Sequence, residues 1–557
     1  HGELDKYFLS RSLDEECLQA IGQTISDNYA DNRSIIMLND RLINITLAIL
    51  ASSMAFSSCS KNQLGGADDS DKNSETIKLS PDRTSVLRNP LNGWTLYIGR
   101  SWNENFWTAQ GYDDISVPEL GATVKASDYA STAYLRTTWK ALEPAEGNYV
   151  WRDKNSTFSK LLQSVLDRDM RFSIRIVVDG RDQGQNTPQY VFDAGCEYYD
   201  DPDYPGKGRI SPYPDDPVFQ EKYSVFIKAL AEDLDDPDKM DFIDAFGLGK
   251  WGECHTLIYK DTSKKKQVFD WITTLYSESF KSVPLLINYH RMIGTSTAGG
   301  WSDTVPSDTE ALLDSAVEKG YSLRHDAFGM TGYYKQWEKN YAKKWNNRRP
   351  IMMEGGWITS GTHRYWIDPC GKYREGHPED VRQGEFDACQ EAKVNMMDIR
   401  TGELSWFHDA FGLFERFIQE GGYRLYPDMI TIPVAASAGS KVQITHRWVN
   451  LGWGYCPNNI PQWNWKYKPA FALLDSKGEL AKVFVDSAAE PSEWIKGSPK
   501  QYSFSVDLGG SGIITITWAI GIVDTTKDEG TLGLEIATKK SQQTAGGWTK
   551  IKEINIF

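Results

Sequence analysis

Glu253 and Glu354 occupy positions where a carboxylate can do chemistry. Glu253 follows the apolar run 242–249, FIDAFGLG, and Glu354 sits inside 349–357, RPIMMEGGW. Each has glycine beside it, which lets a substrate approach the backbone closely. A charged side chain at the end of such a run either caps a turn or takes part in a reaction. Two carboxyls facing each other across a glycosidic bond suit one reaction in particular: one protonates the leaving oxygen while the other attacks the sugar or activates water. Set about 5 to 5.5 Å apart, they act by double displacement with retained configuration. Either glutamate alone is unremarkable, and the expectation rests on their matched positions.

Those positions depend on the elements around them. Strand-like runs at 92–99, 132–139, 171–178, 242–249, 284–290, 322–330, 349–357 and 403–408 alternate with stretches whose apolar residues recur at three and four spacing, such as 157–170, 218–234, 265–280 and 308–320. This alternation predicts an α/β fold, a (β/α)8 TIM barrel, in which catalytic groups sit at the C-terminal ends of strands. No glycine-rich phosphate loop follows an early strand, which disfavours a doubly wound open sheet. After residue 433 strand-like runs follow one another without helices, at 441–450, 468–475, 480–486, 502–508, 512–522 and 531–537. They predict an antiparallel β-sandwich domain. The expected divisions are a barrel over 81–426 and a sandwich over 427–557.

Acids after strands four and seven resemble the arrangement in the large clan of retaining glycosidases that includes β-galactosidases, xylanases and cellulases. TTWKALEPAEGNYVWRD (137–153) resembles the segment after strand two in several of its families. The layout from RNPLNGW (88–94) through LGKWGE (248–253) and MMEGGW (352–357) also resembles a family of exported bacterial lipoproteins of unsettled function. The resemblance implies that Glu253 is the acid/base and Glu354 the nucleophile. It also marks a departure, because the clan's acid/base follows an asparagine that binds the sugar 2-hydroxyl, and here Gly252 stands in that place.

Other strand-end residues complete a candidate site. Arg136 and Trp139 end strand two, Asn288, Tyr289 and His290 end strand five, Trp357 follows the second glutamate, and Trp406 lies in the run taken as strand eight. These are the expected substrate contacts, the aromatic rings serving as platforms for sugar faces. Arg175 and Asp179 bracket the end of strand three, and Arg324, His325 and Asp326 lie in strand six. No HxH or HExxH spacing accompanies His255 or His290, so no metal and no cofactor is expected. The long third connection, 180–217, is aromatic, acidic and proline-rich, and reads as either a substrate wall or a rigid decoration.

The chain has 557 residues, 40% hydrophobic and 25% charged, which is enough for two or three sizeable cores. A net charge of -15 supplies no basic face for a phosphate backbone, so nucleic acid is not an expected partner. From Met37 the sequence has Arg41, an apolar stretch to Phe56, two serines and Cys59, the layout of a signal peptide (37–59) resembling those of bacterial lipoproteins, with Cys59 the lipidated residue. Residues 1–36 then read as upstream translation and 60–80 as a flexible linker. The expected protein is lipid-anchored in the outer membrane and acts on oligo- or polysaccharide. The alternatives are a non-catalytic glycan-binding lipoprotein on the same scaffold and a structural envelope lipoprotein. Cys370 and Cys389 can pair in an oxidising compartment, but the sequence does not decide it.

Overall fold

The computed structural model describes residues 74–98, 103–180, 184–202, 205–289, 307–326, 328, 334–355, 373–374, 376–400, 404–437, 439–509 and 514–556. Cys59 with its signal segment and Cys370 lie outside the described residues. Among the described residues no helix is long and apolar enough to cross a membrane.

Eight parallel strands close into a barrel. In chain order they are strand one, Gly93–Ile98, strand two, Ala130–Thr138, strand three, Arg171–Val177, and strand four, Met240–Asp244. Strand five is Leu285–Asn288, strand six Tyr321–Asp326, strand seven Ile351–Glu354, and strand eight Met396–Arg400. Strand eight pairs back onto strand one, from Met396 opposite Gly93 to Arg400 opposite Tyr97. The run 403–408, expected as strand eight, is not a strand. Ser405–His408 is helical and leads into the helix Phe411–Glu420. The spacing of Trp406, Phe407, Phe411 and Phe414 is a helical face, and the strand is the preceding run MMDIR. The run at strand four is also shorter than expected, since 245–249 already leaves the sheet.

The helices cover the barrel with regular apolar stripes. In Thr157–Leu166 the buried residues are Phe158, Leu161, Leu162 and Val165, and the Ser156 hydroxyl caps the start by accepting the Ser159 N–H. Pro217–Leu234 begins with proline at its first position, and Asp216 accepts the N–H groups of Val218 and Phe219. Phe219, Tyr223, Phe226, Ile227 and Leu230 then face inward.

Inside the barrel the period of two sorts the side chains by height. Phe242, Leu286, Met352 and Met396 form an apolar floor. Two residues further along the same strands stand Asp244, Asn288, Glu354 and Asp398. The lumen is therefore greasy below and charged above.

The C-terminal residues form two sheets. One orders Ser74–Ile77, Leu425–Pro433, Lys441–Asn450 and Lys500–Asp507, all antiparallel. Ser74–Ile77, expected within the flexible linker, is thus an edge strand, with Ser74 opposite Pro433. The other sheet centres on Ile514–Asp524, flanked by Tyr467–Leu474 and Thr549–Ile556. Ile430, Ile444 and Trp448 from the first sheet and Phe471, Trp518 and Ile520 from the second share one core, which also takes in the barrel floor. Each such side chain contributes about 1.5 to 3 kcal/mol by leaving water, so the shared core fixes the lower end of the barrel. Trp453 adds a second tie, donating its indole N–H to the Val394 carbonyl at 3.0 Å and packing on Phe386 and Phe417.

Candidate active site

Glu253 sits on a contorted loop. Trp251, Cys254 and Thr256 all have positive φ, 59°, 67° and 54°, although none is glycine. Such backbone costs on the order of 1 to 3 kcal/mol per residue and persists where the surroundings over-determine it. Gly252, which replaces the clan's asparagine, has φ 79°, and a Cβ there would lie 3.4 Å from the Ile176 carbonyl and 3.6 Å from the Arg175 side chain. The loop lies tight against strand three, which favours glycine before Glu253. Asn288, on the neighbouring strand, directs its amide to the Glu253 carbonyl at 3.4 Å.

Glu354, the last residue of strand seven, is fully buried. Its carboxylate oxygens, those of Glu253 and those of Asp326 include one from each residue lying within 4.8 Å of the others. An oxygen of Glu253 and an oxygen of Glu354 thus lie within 4.8 Å of each other, a close approach of the two carboxyls across the mouth. These three carboxylates are the group among the described residues that could meet a cation, but guanidinium groups already hold two of them.

Arg175, from strand three, bridges the pair. Its Nη1 donates to Glu253 Oε1 at 3.0 Å and its Nη2 to Glu354 Oε1 at 3.1 Å and to the Tyr97 hydroxyl at 3.1 Å. Arg324 donates to Glu354 Oε2 and places its Nε 2.8 Å from Asp244 Oδ2. Arg400 comes within 3.5 Å of Glu354 Oε1 and donates to the Gly355 carbonyl at 2.6 Å. Three guanidiniums thus surround Glu354. The Tyr134 hydroxyl donates to Asp244 Oδ2 at 2.9 Å, and Asp398 Oδ1 accepts the Gly355 N–H at 2.7 Å.

Glu253 has a different partner. His255 Nε2 lies 3.3 Å from Glu253 Oε2, and Nδ1 lies 3.1 Å from the Thr256 hydroxyl. That hydroxyl donates to the His255 carbonyl at 2.8 Å, so it accepts from Nδ1–H. With its proton on Nδ1, a neutral His255 has no proton at Nε2, and its contact with Glu253 needs one further proton between the two groups. Burial would raise the Glu253 carboxyl, but the His255 hydrogen bond and the Arg175 charge outweigh it and hold the group well below the usual carboxylate range. Burial pushes Asp244 up despite Arg324 and Arg175, and burial together with the Glu354 charge pushes Asp398 well up.

The expected residues divide. Glu253, Glu354, Asn288 and Arg136 meet at the mouth, with Arg136 donating to the Tyr97 hydroxyl at 3.3 Å. Trp139 does not. It starts the short helix Trp139–Leu142, is fully buried against Tyr223 and Phe226, and donates to Glu143 at 2.8 Å. Tyr289 points away from the lumen, packing on His325 and Tyr341, as its one-residue offset from Asn288 requires. Trp406 is core, edge-to-face with Trp94 and under the Arg382 guanidinium. His290 and Trp357 lie outside the described residues. Tyr97, Asp244, Arg324, Arg400 and His255 complete the cluster beyond those expected. Their signal was a charged or hydroxylated residue at an inward position of an otherwise apolar strand.

A polar cleft of about 470 Å³ lies at the other end of the barrel, lined by Arg88, Asp169, Arg171, Asp238 and Glu535 among others. It is far from the carboxylate pair in strand terms, since its barrel residues precede strands one, three and four or begin them. The third connection, by contrast, is fastened at the mouth, where Asp179 accepts from Ser211 at 2.8 Å and Tyr199 at 3.2 Å.

No protein-family model matches the chain, and no curated protein sequence does. Among solved structures it is similar to the catalytic domain of β-amylase from Paenibacillus polymyxa, at 10% identity over 59% of this chain and 98% of that one, TM-score 0.37. It is similar to xylanase 10B from Thermotoga maritima, at 11% identity over 59% and 96%, TM-score 0.35. It is also similar to endo-glycoceramidase II from Rhodococcus sp., at 11% identity over 78% and 100%, TM-score 0.34. Likenesses at this level decide nothing about activity, which is argued from the site.

Proposed function

We propose that the protein is a retaining glycoside hydrolase, a β-galactosidase-like or related β-glycosidase, acting on glycan at the bacterial cell envelope. The observation that carries the reading is the Glu253–Glu354 pair, with oxygens within 4.8 Å of each other and one guanidinium bridging them. Glu354, oriented by Arg175, Arg324 and Arg400, attacks the anomeric carbon. Glu253 protonates the leaving oxygen and then draws a proton from the water that releases the glycosyl-enzyme. It takes its first proton from His255 when substrate enters and loosens the grip of Arg175. Asn288 is the described amide best placed for the sugar 2-hydroxyl that the clan's asparagine would hold.

The two C-terminal sheets act in this reading as a sandwich that buttresses the barrel floor, and Cys59 carries the lipid anchor in the outer membrane. Of the aromatic residues expected as the platform of a non-catalytic glycan-binding lipoprotein, Trp139, Tyr289 and Trp406 are core residues and Trp357 lies outside the described residues.

The test is hydrolysis of a panel of aryl β-glycosides and polysaccharides by the protein and by Glu354→Gln. Turnover that the variant loses supports the reading. Binding of a glycan by both proteins with turnover by neither overturns it in favour of the binding scaffold.

A further inference from the structure

Among the described residues the mouth holds one guanidinium that the carboxylates leave over. Arg175, Arg324 and Arg400 each pair with at least one carboxylate. Arg136, half-buried at the end of strand two, instead donates only to the Tyr97 hydroxyl, and among the described residues no carboxylate pairs with it. That hydroxyl also accepts from Arg175, which reaches both Glu253 and Glu354. Arg136 is therefore joined to the reacting carboxylates through the Tyr97 hydroxyl and the Arg175 guanidinium, at the same mouth of the barrel.

The charge balance agrees. Arg175, Arg324 and Arg400 each face a carboxylate, whereas the described residues set none against the Arg136 charge. A neutral sugar leaves it uncompensated in a site that substrate closes to water, whereas a carboxylate on the sugar compensates it and accepts two parallel N–H groups from a planar guanidinium.

We infer that the sugar bound beside the catalytic pair is a uronic acid and that Arg136 receives its carboxylate. This rests on the glycosidase reading and narrows it to acidic glycans. Arg136 is a specificity residue here, binding the substrate without taking part in bond making.

The experiment compares kcat/KM for 4-nitrophenyl β-D-glucuronide with the β-D-glucoside, and for the galacturonide with the galactoside, in the protein, Arg136→Gln and Arg136→Lys. The members of each pair differ at the sugar's C6, as carboxylate or hydroxymethyl. The protein is expected to prefer a uronide. Arg136→Gln lowers the uronide-to-neutral ratio by about 10-fold or more, chiefly through KM, and Arg136→Lys restores part of it. A neutral glycoside hydrolysed equally well, with a ratio that Arg136→Gln leaves unchanged, overturns the inference and leaves the glycosidase reading standing. If no aryl glycoside turns over, titration calorimetry with D-glucuronate and D-glucose decides. Tighter uronate binding that Arg136→Gln abolishes supports the inference without catalysis, and equal or absent binding of the two overturns it.

Discussion

Two buried histidine–carboxylate pairs in this molecule share their chemistry and differ in what the other ring nitrogen meets. In the C-terminal sheets His446 Nδ1 accepts the Trp448 indole N–H at 2.7 Å, so Nε2–H donates to Asp486 at 2.9 Å. A neutral imidazole satisfies every contact, and Asp486 also accepts the Ala488 N–H. At the barrel mouth Nδ1 of His255 must donate to Thr256, and Nε2 then shares a proton with Glu253. The first pair is closed, while the second holds a proton that can move. Its surroundings carry the same mark. Among the described residues Arg324 Nη2 and Asp244 Oδ1 find no hydrogen-bond partner, and the loop bearing Glu253 has three strained residues. Unsatisfied groups and strain at one place, against saturation at the other, are what a reacting site and a structural site lead one to expect.

The comparison breaks if the two pairs respond alike to mutation. The largest effect belongs to Glu354→Gln, for which kcat falls by about 10⁴-fold or more, as expected for loss of the nucleophile. Asp486→Asn, in contrast, leaves kcat within about twofold, because nothing in the C-terminal sheets takes part in the reaction. Steady-state kinetics on one aryl glycoside checks both. Glu253→Gln comes next, with a loss of roughly 10² to 10⁴-fold on substrates with poor leaving groups and a smaller loss on 2,4-dinitrophenyl glycosides, which need little protonation. Equal losses on both leaving groups would contradict its role as acid.

His255→Gln is expected to lower kcat/KM by roughly 10 to 10²-fold and to move the alkaline limb of the pH profile to lower pH. The limb belongs to the proton shared by the pair, and without His255 it reports Glu253 alone, beside Arg175. His446→Ala should leave that limb in place and lower stability by about 1 to 3 kcal/mol in urea unfolding, since Asp486 and the Trp448 N–H lose their partner.

The smallest effect is on acid stability. Burial would raise Asp486, but hydrogen bonds from His446 and Ala488 outweigh it and hold the carboxyl low. A carboxyl lowered in the folded state contributes stability that is present above its unfolded value, about 3.9, and is lost as pH falls below that. Asp486→Asn therefore flattens the slope of stability against pH below about pH 4. An unchanged slope in urea titrations there would contradict the account of Asp486 as a carboxylate held low by its hydrogen bonds.

How much of this was legible in the sequence follows from what each signal encodes. Glu253 and Glu354 were visible because a charge ending an apolar run beside glycine is conspicuous. The barrel was visible through alternation, but strand eight was misplaced because ELSWFH is as apolar as MMDIR, and only the helical spacing continuing to Phe414 separates them. Trp139, Tyr289 and Trp406 were misassigned because aromatic rings at strand ends serve packing as readily as sugar. Parity alone excludes Tyr289, given Asn288 inside. Arg136, Arg175 and Arg324 were named at strand ends and an arginine beside Glu354 was expected, but which of them reach it was not legible, because a residue's neighbours across the lumen come from other strands, and strand stagger is not written in any one of them.

The most direct test of the account is to incubate the protein with 2,4-dinitrophenyl 2-deoxy-2-fluoro-β-glycosides and locate the covalent adduct by peptide mass spectrometry. The account predicts one glycosyl group on the peptide bearing Glu354, absent in Glu354→Gln. An adduct on another residue, or none while the parent glycosides are turned over, would contradict the assignment of the carboxylate pair.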